Sequence, residues 1–159
     1  AIKNRQEKKM NSIFVDVKIP IDGRQNGYLI FRSTCSVCHG ADGEGIQYLG
    51  PPLNGSEYVA GSTDRLAMIL LNGVTGPIHV NGKLYQFNSS MPNFGNNFND
   101  QEIVDIITYV RNSFVPASSN TSYHNNKGIN AERIKKLRDK KMTMLTEKDL
   151  QEMDVQSNK

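Results

Sequence analysis

The chain has 159 residues, 37% of them hydrophobic, which suits one compact domain with extensions. Its formal net charge of +3 hides a partition: residues 1–26 and 117–159 each carry +3, and residues 27–116 carry −3. A mildly acidic middle between basic ends argues against nucleic acid as a partner, and no run of about 18 apolar residues is available to span a membrane.

No charged-then-apolar leader opens the chain, so any secretion signal is expected to have been removed or to belong to a longer precursor. Residues 1–21 read as a polar arm with one alternating stretch, Ile13–Ile19, before Pro20. A helix is predicted from Asp22 or Asn26 to Ser33, with Gly27, Phe31 and Cys35 spaced four apart on one face. The glycines of His39-Gly40-Ala41-Asp42-Gly43-Glu44-Gly45 allow a tight, irregular path, and Gly50-Pro51-Pro52-Leu53 follows as a rigid extended segment. A second helix is signalled from Ser62, its cap, to Asn72, with Leu66, Ile69 and Leu70 on its apolar face and Gly73 as its stop. Asn81-Gly82, set between alternating apolar residues of Ile78–Phe87, predicts a β-hairpin. The last helix of the main domain should run from Asp100 to Phe114. Asn99 caps it, Glu102 takes the reciprocal capping position, and Ile103, Ile106, Ile107 and Val110 form its stripe. Residues 116–129 read as a Ser/Asn-rich linker. Two short charged helices are expected near 130–141 and 146–153, the second opened by a Thr146–Asp149 capping box. The predicted organisation is an arm (1–21), a domain (22–115), a linker (116–129) and a helical extension (130–159).

The strongest chemical signal is Cys35-Ser36-Val37-Cys38-His39, a C-x-x-C-H run that reads as a site of covalent haem attachment. Two thiols at this spacing can each add to one vinyl group along a haem edge. The adjacent histidine then lies under the iron and offers an imidazole nitrogen. Other readings of the same residues need features that are not visible. A thioredoxin-like redox pair requires a βαβ setting. A zinc site requires four ligands, and His79 and His124 lack suitable spacing. A disulfide across two intervening residues would be strained and would leave His39 without a role.

A haem held this way takes a second iron ligand, and thioether sulfur suits iron that cycles between two oxidation states. Of the six methionines, Met68 sits among the apolar residues of a helix, and Met10, Met142, Met144 and Met153 lie in polar or charged ends. Met91 lies in a loop, restrained by Pro92, between the hairpin and the Asp100 helix, and is the candidate. His79 is the runner-up.

Taken together, these residues resemble the class I cytochrome c family over roughly Gly27 to Phe114. The likeness rests on Gly27, Phe31 and Cys35, on Cys35-x-x-Cys38-His39-Gly40, on Gly50-Pro51-x-Leu53, and on Met91-Pro92 before a terminal helix containing Tyr109. The resemblance implies an all-α class I cytochrome c fold, here with a small β-hairpin insert and a two-helix C-terminal extension. It implies one haem c attached through Cys35 and Cys38, with His39 and Met91 as iron ligands. It further implies that the Pro51 carbonyl holds the outer nitrogen of His39, and that Gly27 lets the first helix cross close to the last one near Tyr109. A looser likeness is to cytochrome domains that serve quinoprotein dehydrogenases of alcohols and sugars.

The function expected from this is single-electron transfer rather than enzymatic turnover. The partners would be redox proteins, from a periplasmic dehydrogenase as donor towards a respiratory cytochrome or oxidase as acceptor. Location is expected to be periplasmic, or otherwise outside the cytoplasmic membrane. Two alternatives are an electron-entry or docking module of a larger dehydrogenase, and a haem sensor or enzyme with a labile distal ligand.

Overall fold

The computed structural model describes residues 22–116, 129–140 and 142–157. The Ile13–Ile19 stretch, Met10, His124 and most of the Ser/Asn-rich segment lie outside the described residues.

Helix α1 (Gly23–Ile30) starts where the Asp22 carboxylate accepts the Gln25 N–H at 2.8 Å. The predicted end at Ser33 is corrected: the chain stays helical through a π turn (Phe31–Cys35) and a further turn, α2 (Ser36–His39). In the π turn the Ser36 N–H reaches back five residues to the Phe31 carbonyl. Such a wide turn re-aims whatever follows it. Phe31 therefore stays wholly buried against the rings of Tyr109 and Phe114, at 5.3 and 5.2 Å between centroids, while Cys35 and Cys38 come round to the same cavity. Gly40, at φ +81°, ends the run.

Helix α3 (Glu57–Ala60) is a single turn that the sequence reading did not anticipate, capped by the Ser56 hydroxyl. Helix α4 (Thr63–Asn72) has the predicted bounds, with Ser62 as cap and Gly73 as stop, and Leu66–Leu71 are all buried. Strands β1 (Ile78–Val80) and β2 (Lys83–Tyr85) pair antiparallel across Asn81-Gly82. Both turn residues have positive φ, +50° and +77°, the geometry that matches strand twist. Glu57 accepts the Asn81 N–H at 2.8 Å and so pins the hairpin tip to α3.

Helix α5 (Asp100–Phe114) opens with the predicted capping box: the Glu102 N–H donates to the Asn99 side chain, and the Asn99 N–H donates to Glu102. Ile103, Ile106, Ile107 and Val110 are its buried stripe. Helix α1 crosses α5 at Gly27. A Cβ there would collide with the Asp105 carbonyl oxygen and sit 2.8 Å from Tyr109 Cβ, so only glycine permits this approach. Buried Arg111 on α5 forks into the α3–α4 connection. It donates to the Val59 and Gly61 carbonyls at 3.1 and 2.7 Å, and to the Thr63 hydroxyl at 2.6 Å.

Helices α6 (Ala131–Arg138) and α7 (Glu147–Ser157) complete the described chain, the second opened by the Thr146–Asp149 box. Their apolar side chains, with Leu145 between the two helices, pack back onto the molecule. Ile134, Leu137, Leu145 and Leu150 are at most 3% exposed and belong to the same core as α4 and α5.

Candidate functional site

One cavity of about 460 Å³, walled largely by apolar side chains, is bordered by Cys35, Cys38, His39, Pro51 and Met91 together. These five residues come from separate parts of the chain, and each is brought there by a different local cause. The π turn aims the two cysteines, and α2 carries His39 at its end. Pro51 arrives on the extended segment after the glycine loop, and Met91 on the segment that pairs with Val74 after α4. Leu66, Leu70, Ile106, Ile107 and Val110 supply apolar wall from the two core helices.

His39 Nδ1 lies 2.8 Å from the Pro51 carbonyl oxygen. A carbonyl only accepts, so Nδ1 carries the proton. Burial holds the imidazole pKa below its ordinary value, against the opposing pull of the Pro51 bond. The ring is therefore neutral at neutral pH, and its second nitrogen, Nε2, keeps a lone pair. No hydrogen bond engages Nε2 among the described residues. This is the condition of a histidine able to bind a metal, with the carbonyl behind it fixing tautomer and ring orientation.

Cys35 and Cys38 are not joined to each other. Burial, assisted by the neighbouring Cys38, pushes the Cys35 thiol up to about 11. A redox-active C-x-x-C pair needs the opposite, a lowered thiol pKa. The only sheet among the described residues is the β1–β2 hairpin, so the βαβ setting of the thioredoxin reading is absent there.

The remaining candidates fall elsewhere. His79, on β1, is not among the cavity's lining residues; its ring and backbone N–H engage Glu147, at 3.0 and 2.6 Å. Met68 is buried on α4 outside the cavity lining, and Met142, Met144 and Met153 belong to the α6–α7 region.

Two contributors had no distinctive signal in the sequence. Gly73 reads as an ordinary helix stop, but its φ of +74° and ψ of 173° bring the backbone against the Met91 segment. A Cβ would fall on the Met91 carbonyl oxygen and within 2.9 Å of the Asn93 nitrogen. Val74 then exchanges both backbone bonds with Met91, Met91 N–H to Val74 O at 2.9 Å and Val74 N–H to Met91 O at 3.2 Å. Arg138, from the charged α6, is the second and is considered below.

A cavity walled by hydrocarbon, with two thiols, one neutral imidazole and one thioether at its border, fits haem in size and in donor chemistry. Comparison with known proteins points the same way. The sequence model of the cytochrome c family matches residues 25–114. Cytochrome c-552 of Thermus thermophilus is 34% identical over 113 residues, covering 69% of this chain and 82% of that protein. Two dehydrogenase subunits are also similar. The cytochrome c subunit of Gluconobacter oxydans quinone alcohol dehydrogenase is 28% identical over 87 residues, 54% of this chain and 17% of that subunit. The gluconate 2-dehydrogenase cytochrome c subunit of Pantoea cypripedii is 32% identical over 95 residues, 58% of this chain and 21% of that subunit. The chain therefore belongs to the cytochrome c family, and its cofactor is one haem c bonded covalently through Cys35 and Cys38.

Proposed function

We propose that this protein is a single-electron carrier whose haem iron is bound by His39 and Met91. The observation that carries the reading is the convergence of both residues on the cysteine-bordered cavity, with His39 kept neutral by burial and oriented by the Pro51 carbonyl. Haem c supplies a one-electron couple at its iron, and a histidine–methionine pair raises its potential. The chain's residues do the rest. Pro51 orients His39, Gly73 and Val74 hold the Met91 backbone, and the buried walls from α4 and α5 keep water away. With two protein ligands in place, no iron position is left for a substrate, which separates a carrier from a sensor or catalyst.

Val37 and Leu49 border the cavity and are 63% and 43% exposed. They form an apolar rim where redox partners can dock briefly. The names of the Gluconobacter and Pantoea relatives support a dehydrogenase as electron donor; the acceptor in this reading is a respiratory cytochrome or oxidase. Covalent haem attachment and membership of the cytochrome c family support a periplasmic location. Among the described residues no helix is long and apolar enough to cross a membrane. We read residues 22–115 as the family domain, with the β1–β2 hairpin as an insert and residues 130–159 as an added helical extension.

The test is the iron's ligand set. The oxidised holoprotein should show the weak far-red band of sulfur-bound haem iron, and the reduced form should bind carbon monoxide only slowly at neutral pH. Met91→Ala should abolish the band and open the site. Rapid carbon monoxide binding by the unaltered protein would refute the carrier reading in favour of a sensor or enzyme.

A further inference from the structure

We infer that the α6–α7 extension is a brace for the methionine loop, and that Arg138 is a positioning residue for the Met91 sulfur. This rests on Met91 being an iron ligand.

The extension meets the Met91 loop at two places. Behind the loop, the backbone of residues 73–75 lies between two partners. On one side Val74 pairs antiparallel with Met91; on the other it pairs parallel with Leu145. The Leu145 N–H donates to the Gly73 carbonyl at 3.0 Å, and the Thr75 N–H donates to the Leu145 carbonyl at 2.8 Å. Leu145 itself is 1% exposed. Beyond the loop, Arg138 gathers the stretch that leads from Met91 into α5. Its guanidinium donates to the Gly95 carbonyl, to the Phe98 carbonyl at 2.9 Å, and to the Asp100 carboxylate at 2.8 Å. Phe94, between these anchors, lines the cavity and donates its N–H to the Leu70 carbonyl at 2.8 Å. The extension is thus one layer of backbone away from the haem cavity.

A planar guanidinium with three acceptors fixes all three relative to one another, which a lysine could not do. Residues 95–100 include three Asn and no regular element before Asp100, so their path depends on such outside partners. Arg133, five residues earlier on α6, provides an internal control. It ties the same helix to Asp64 of α4, through Nε at 3.0 Å and a second bond from Nη2, and does not touch the methionine loop.

The experiment compares the full-length holoprotein with Arg138→Leu, Arg133→Leu and Met91→Ala. Three readouts are followed: the far-red sulfur band on heating, the rate of carbon monoxide binding to the reduced form, and global unfolding by far-ultraviolet circular dichroism. Arg138→Leu should bind carbon monoxide about tenfold faster, as expected for losing charge-assisted bonds that hold a ligand loop. Its sulfur band should fade well below the temperature of global unfolding, while Arg133→Leu loses band and fold together. Arg138→Lys, a milder change that keeps the charge, should fall between Arg138→Leu and the unaltered protein. Equal carbon monoxide rates in the two leucine variants would overturn the inference, as would coincident loss of band and fold in Arg138→Leu. If the unaltered protein already binds carbon monoxide as fast as Met91→Ala, the ligand assignment itself fails, and the brace for it falls on that separate result.

Discussion

Gly73→Ala replaces one hydrogen by a methyl group where α4 ends and the Met91 segment passes. Two separate costs follow from the structure. At φ +74° and ψ 173° a side chain is disfavoured by about 1–3 kcal/mol. The new Cβ would also fall on the Met91 carbonyl oxygen and lie 2.9 Å from both the Asn93 nitrogen and the Pro92 carbonyl carbon. Those are backbone atoms that cannot swing aside, so relief requires the Met91 strand to move, at an overpacking cost of about 1–3 kcal/mol. The combined loss should be about 2–6 kcal/mol, with partial loss of the two Val74–Met91 bonds. The measurement is urea unfolding of the holoprotein by circular dichroism, with the far-red sulfur band followed in parallel. Gly82→Ala isolates the first cost, since Gly82 has φ +77°, open space around it and no place in the cavity lining. That variant should lose about 1–2 kcal/mol and keep its band. Equal losses in the two variants, or a Gly73→Ala protein with an undiminished band, would refute the claim that glycine is needed for close passage of the Met91 segment.

Three other perturbations test different parts of the argument. Arg111→Met should cost about 3 kcal/mol in urea unfolding, because it strands the carbonyls of buried Val59 and half-buried Gly61; a loss under about 1 kcal/mol would show that Arg111 is not what ties α3 and α4 to α5. Pro51→Ala keeps the carbonyl that accepts from His39, so the visible spectrum should be unchanged and stability should fall by only about 0.4–1 kcal/mol, through a freer unfolded chain. Glu147 is held below its ordinary value of 4.5, first by the His79 backbone N–H and then by the ring. Its stabilising effect is therefore full above about that value and is lost as pH falls through the lower, folded one. Protection of the His79 amide against hydrogen exchange, taken relative to its intrinsic rate, should fall below pH 4.5, and Glu147→Gln should flatten that dependence.

What could be read without coordinates was whatever is decided locally. The α5 bounds follow from Asn99 and Glu102 satisfying each other's backbone, and the hairpin from two residues that tolerate positive φ. The haem motif is equally local, because the two thiols and the imidazole act within five residues. The misses are all tertiary. The π turn at Phe31–Cys35 exists because Phe31 is clamped by Tyr109 and Phe114, far away in sequence, so the expected end at Ser33 was too early. The α3 turn depends on Arg65 and Arg111 collecting its carbonyls. Arg138 looks like any basic residue of a solvated helix until residues 95–100 are laid against it. Met91 could be singled out from its loop setting, whereas the residues that hold its backbone could not.

The three-segment ladder Met91–Val74–Leu145 is made of main-chain atoms alone. Substituting any of those side chains leaves its hydrogen bonds available. Insertion or deletion does not: between Arg138 and Leu145 the chain must cover a set distance in six residues, and one more or one fewer shifts which amide meets Gly73. The spacing from Arg138 to Leu145 therefore works as a ruler, constrained in number more than in composition. In a library of variants, length changes there should be depleted far more strongly than amino-acid changes.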